Sequence, residues 1–104
     1  MAENARRDIK AAQVRILGRV QRVGFRYWTI NEASCRGLDG WIKNRVDGSV
    51  EAVFVGPLRE VDDMLAVCAD GPPSAIVNSV VESEVHEDEW CALVGQGFSA
   101  RRTE

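Results

Sequence analysis

An Asp-Gly pair, Asp47-Gly48, separates two strand-like runs, and no other feature of the sequence restricts the fold as much. Asp-Gly tolerates the positive φ angles of tight turns, so it is the strongest short signal that two strands pair antiparallel. The strands are predicted at residues 41–45 and 49–55. In the second, Val50, Ala52 and Phe54 face one way and Glu51, Val53 and Val55 the other.

The rest of the chain arranges itself around this hairpin. A first strand is predicted at residues 14–20, where Val14, Ile16 and Gly18 alternate with Arg15, Leu17 and Arg19. Residues 21–24 read as a loop, and a helix follows to about Arg36. Trp28, Thr29, Ile30 and Ala33 share its inward face, and Gly37 stands where a helix-ending glycine belongs. Gly56-Pro57 opens a second helix, in which Leu58, Val61, Met64, Leu65 and Cys68 recur at spacings of three and four. Asp70-Gly71-Pro72-Pro73 stops it. A fourth strand is predicted at 76–85, an acidic turn at 86–89 and a short last strand near 97–101. This order, βαββαβ plus a short fifth strand, predicts an α+β fold of the ferredoxin-like, split βαβ kind. Two helices would pack on one face of an antiparallel sheet, leaving the other face more exposed.

A chain of 104 residues suits one domain, predicted here at 12–101 behind a polar, flexible tail at 1–11. The net charge of −3 argues against a nucleic-acid or membrane partner, yet Arg15, Arg19, Arg22, Arg26 and Arg36 cluster early. A basic loop on an acidic chain suits a small anionic ligand. Cys35, Cys68 and Cys91 are odd in number and widely spaced, which fits a reducing compartment rather than disulfides or zinc. With no apolar leader or long apolar run, the expected location is cytoplasmic and the expected state a monomer.

The chemistry is concentrated in Gly18-Arg19-Val20-Gln21-Arg22-Val23-Gly24-Phe25-Arg26, between a strand and the first turn of a helix. N–H groups in such a loop lack strand partners and lie beside the positive end of the helix dipole, where they can cradle an anion. Arg26 adds a guanidinium fork that matches two phosphate oxygens. A second segment runs from Gly40 to Glu51 and contains Asn44, near the end of a strand expected beside the first. By itself, an asparagine before a turn is ordinary turn chemistry.

Together the two segments resemble the acylphosphatase family over residues 12–100. The family's first pattern, roughly G-x-V-Q-G-V-x-F-R, is met by Gly18, Val20, Gln21, Val23, Phe25 and Arg26. The second, roughly G-[WY]-V-x-N-x-x-D-G-x-V-E, is met by Gly40, Trp41, Asn44, Asp47, Gly48, Val50 and Glu51. The resemblance implies hydrolysis of the carboxyl-phosphate anhydride of acyl phosphates, releasing carboxylate and inorganic phosphate. It implies that Arg26 and backbone N–H groups of Arg19, Val20, Gln21, Arg22, Val23, Gly24 and Phe25 hold the phosphate, while Asn44 orients water. It implies no metal, nucleotide or covalent intermediate.

One residue leaves the pattern: Arg22 stands where the family usually has glycine. Its side chain could crowd the site, add a phosphate contact or point to solvent. With Gly24 two positions on, Arg22 is expected in an ordinary right-handed or extended conformation. His86 reads as part of a solvated acidic turn, Ser34 and Cys35 lack a nearby histidine, and Trp28, Trp41 and Tyr27 read as core and rim packing. The alternative is a catalytically weak domain that binds phosphate or carbamoyl phosphate, like the acylphosphatase-like module of a larger hydrogenase-maturation protein.

Overall fold

Asp47 does more at the hairpin than tolerate a turn. Its carboxylate accepts hydrogen bonds from the Ser49 backbone N–H at 2.9 Å and the Ser49 hydroxyl at 2.6 Å. These hydrogen bonds, the hydroxyl foremost, hold its pKa below the ordinary carboxylate value. Gly48 at φ +96° lets the chain close as a three-residue loop, with the Arg45 N–H donating to the Ser49 carbonyl at 2.8 Å.

The computed structural model describes residues 8–104. In order, the elements are β1 (Ile9–Arg19), α1 (Phe25–Cys35), β2 (Asp39–Asn44), β3 (Val50–Pro57), α2 (Leu58–Asp70), β4 (Ile76–Ser83), α3 (Glu87–Leu93) and β5 (Phe98–Ala100). One five-stranded sheet has the order β4-β1-β3-β2-β5. α1 ends as the sequence predicts: Gly37 takes φ +67°, and the Leu38 N–H reaches back to the Ala33 carbonyl at 3.0 Å.

The core lies between one sheet face and helices α1 and α2. Ala12, Val14, Ile16, Val50, Ala52 and Phe54 from the strands meet Phe25, Ala33, Val61, Met64 and Cys68 from the helices. The expected alternation of β3 holds, since Val53 and Val55 lie in a second cluster with Trp41 on the opposite face. Phe98 joins the main core, its ring stacked on Phe54 with centroids 5.3 Å apart.

Four expectations are corrected. β1 begins at Ile9, not near residue 14, so residues 9–11 are strand rather than tail: Ile9 pairs with Pro57 and Lys10 with Gly56. Residues 1–7 of the predicted tail lie outside the described residues. The sheet is mixed, because β5 runs parallel to β2, with Gly40 opposite Phe98. The predicted acidic turn leads into a third helix, α3, whose Trp90 and Leu93 cover Trp41, Val53 and Val55 on the second face. Glu87, Asp88 and Glu89 occupy its first turn, where carboxylates complement the helix dipole. Finally, β3 stands between β1 and β2, so Asn44 is one strand removed from the first strand.

Among the described residues no helix is long and apolar enough to cross a membrane. Cys68 is fully buried on α2, and burial pushes its thiol up to about 12, whereas Cys35 and Cys91 are exposed. At about pH 8 a thiol reagent should therefore modify Cys35 and Cys91 readily and reach Cys68 only on unfolding. Equal rates at all three, followed by peptide mass spectrometry, would contradict this core.

Candidate active site

Strand register decides what meets at one end of the sheet. On β3, Val50 pairs with Ile16 of β1 on one side and with Asn44 of β2 on the other. The loop leaving β1 and the hairpin leaving β2 therefore converge. The Gln21 side chain joins them: its amide donates to the Arg45 carbonyl at 2.7 Å and the Ser49 carbonyl at 2.8 Å. Asn44 is held from its outer side as well, because its carbonyl accepts the Glu104 N–H at 3.1 Å.

The loop's backbone starts at Gly18, where the β1–β4 register shifts and φ is +128°. A Cβ there would run into the Ile76 carbonyl, so glycine is required for close strand approach. Arg22 then takes φ +62°, the only positive φ at a non-glycine among the described residues. Its expected right-handed or extended conformation is thereby corrected: the loop demands a left-handed residue at this position. The cost is about 1–2 kcal/mol for an L-residue. Gly24 follows at φ +79°, and Val23 between them keeps negative φ. Alternation of hand along a loop turns successive N–H groups toward one side, the geometry of an anion-binding nest.

α1 begins where this loop ends. Its first intrahelical bond runs from the Trp28 N–H to the Gly24 carbonyl at 3.0 Å, so the N–H groups of Phe25, Arg26 and Tyr27 precede the hydrogen-bonded ladder. Gly24 supplies no side-chain cap, and the first turn carries no acidic residue. By contrast α2 has Glu60 and α3 has three carboxylates in the first turn. The positive end of α1 is the one left unneutralised, and Arg26 adds a cation beside it.

A cavity of about 300 Å³ opens at this end. Val20, Arg22 and Gly24 line it from the loop, Phe25, Arg26, Tyr27 and Ile30 from α1, and Asn44 and Ala100 from the strands. Thus Arg26 and Asn44, far apart in sequence, face one space, together with four of the predicted cradle residues. Arg19, Gln21 and Val23 do not line it: Arg19 closes β1 opposite Ile76, Gln21 braces the hairpin and Val23 packs against the core. Tyr27, Ile30 and Ala100 were not anticipated there. The three-residue step from Tyr27 to Ile30 along α1 could have shown that they share a face.

Every ion pair among the described residues uses Lys10, Arg15, Arg36, Lys43 or Arg45, and Arg22 and Arg26 are in none of them. Asp47 and the mostly buried Glu51 are paired with Arg15 and Arg45, which keeps those carboxylates engaged away from the cavity. His86 stands at the N-cap of α3, and the described residues contain no cluster of metal-ligating side chains.

A strand-loop-helix with an uncapped helix N-terminus, two guanidiniums outside any described ion pair and a polar amide on one cavity is the architecture of a class of domain suited to small phosphorylated anions. The model of the acylphosphatase family matches residues 12–98, and the chain belongs to that family. An acylphosphatase from Nitrobacter hamburgensis is 55% identical over 93 residues, covering 88% of this chain and 94% of its own. The solved acylphosphatase of Coxiella burnetii superposes with TM-score 0.81 at 30% identity, over 93% of this chain and 97% of that one. Full-length HypF, solved in a phosphate- and nucleotide-bound form, matches with TM-score 0.72 at 26% identity, over 92% of this chain and 12% of that one. The chain is accordingly a hydrolase of acyl phosphates, with the ferredoxin-like fold expected from its sequence.

Gln21 carries the geometry of the site, so its loss should register in stability as well as activity. Gln21→Ala removes two hydrogen bonds to carbonyls that are partly buried. Denaturant unfolding should show a loss of about 1–3 kcal/mol, and a variant as stable as the parent would refute the brace.

Proposed function

We propose that the loop from β1 to α1 holds the phosphate of the substrate through its N–H groups and Arg26, and that Asn44 orients the attacking water. The reading is carried by one observation: the uncapped, acid-free N-terminus of α1, Arg26 and Asn44 border the same cavity. The phosphoryl oxygens would rest against N–H groups of the loop and first-turn residues that line the cavity, Val20, Arg22, Gly24, Phe25 and Arg26, with the Arg26 fork gripping two of them. The acyl part would lie toward Tyr27, Ile30 and Ala100, which offer an apolar wall.

The anhydride is already activated, and its acyl carboxylate is a good leaving group. The site's task is to align water with the phosphorus–oxygen bond that breaks and to stabilise charge on the phosphoryl oxygens. A preformed cradle does this with little reorganisation. Neither Arg nor Asn titrates near neutrality, so a phosphate oxygen of the substrate can take the water's proton. Three unpaired cysteines favour a reducing, cytoplasmic setting.

Two substitutions separate the roles. Arg26→Ala and Arg26→Lys should both abolish most benzoyl phosphate hydrolysis and weaken inhibition by inorganic phosphate, because a point charge does not replace the fork. Asn44→Ala should lower turnover about a hundredfold while leaving phosphate inhibition nearly intact. Near-normal turnover in the Arg26 variants, or loss of phosphate affinity in Asn44→Ala, would overturn the assignment.

A further inference from the structure

The loop contains one arginine more than the phosphate needs. Arg26, in the first turn of α1, already supplies a fork beside the free N–H groups. Arg22 borders the same cavity from the loop side and is exposed. It holds a left-handed conformation that glycine would occupy without strain. No described carboxylate pairs with it, since Asp47, Glu51 and Glu104 are engaged by Arg15, Arg45 and Lys43. The result is two unneutralised guanidiniums around about 300 Å³, at the lower end of small-molecule pockets but larger than a phosphate group requires.

We infer that Arg22 selects the substrate: its guanidinium binds a second anionic group, a carboxylate or phosphate, carried on the acyl part of the acyl phosphate. The inference rests on the reading of this cavity as the phosphate site. With the phosphate at the N-terminus of α1, the acyl group extends along Tyr27 and Ile30, within a space that Arg22 also borders. An uncharged acyl group uses the apolar wall and leaves Arg22 to solvent, whereas an anionic one gains an ion pair. Because Arg22 is exposed, the gain is that of a surface pair, about two- to fivefold in kcat/KM, and is screened by salt.

The test compares benzoyl phosphate with 3- and 4-carboxybenzoyl phosphate, which share ring size and differ in one charge. The quantity read is the ratio of kcat/KM for a carboxylated substrate over the parent, in the natural chain and in Arg22→Gly and Arg22→Lys. Comparing ratios between variants cancels both intrinsic reactivity and any uniform effect of the substitution on the backbone cradle. At low salt, at least one carboxylated isomer should lose about two- to fivefold of its relative kcat/KM in Arg22→Gly. Arg22→Lys should retain most of it, and about 0.5 M salt should remove it. Identical ratios in the natural chain and Arg22→Gly for both isomers would overturn the inference. The phosphate-site reading fails separately, if Arg26→Ala still hydrolyses benzoyl phosphate.

Discussion

The double pairing of Val50 governs what the molecule can do. Because β3 is shared, Ile16 on one side and Asn44 on the other are fixed at the same level of the sheet. A slip of one residue in either ladder would turn Asn44 to the other face and take it out of the cavity. The register is protected by burial on both faces of β3, with Ala52 and Phe54 in one core and Val53 and Val55 in the other. Gln21 then fastens the loop to this frame, so the loop's backbone and the polar amide share one rigid support.

Much of this was legible in the sequence. The Asp47-Gly48 turn, the alternation along β3, the helical stripe from Val61 to Cys68 and the Gly37 helix end are local patterns with local causes. What escaped has tertiary causes. Residues 9–11 are strand because Pro57, Gly56 and Val55 pair with them, not through any strong alternation of their own. α3 begins with charged residues that resemble a solvated turn, and only Trp41, Val53 and Val55 beneath Trp90 and Leu93 give it a surface to fold on. The parallel β5 and the central place of β3 are matters of strand order, which composition does not encode.

The site divides along the same line. Arg26 and Asn44 were identifiable as a motif pair, although their meeting depends on strand order. The sequence points to the Gln21 backbone alone, and its bracing side chain emerges only once the hairpin carbonyls are in place. At Arg22 the sequence offers two opposed terms of similar size: attraction of a nearby anion, about 0.2–1 kcal/mol, and backbone strain of about 1–2 kcal/mol. The left-handed φ shows that the loop imposes its conformation and the arginine accepts it. Strain kept at the rim of a binding cavity is a reason to look for a compensating role.

The central claim is that backbone N–H groups of one loop and the start of one helix form the phosphate site. Amide NMR during titration with inorganic phosphate addresses it directly. The largest shifts are expected at Gln21 through Arg26, saturating together, with little change at the N-termini of α2 and α3, where carboxylates already stand. Shifts centred elsewhere, or spread evenly over the surface arginines, would contradict it.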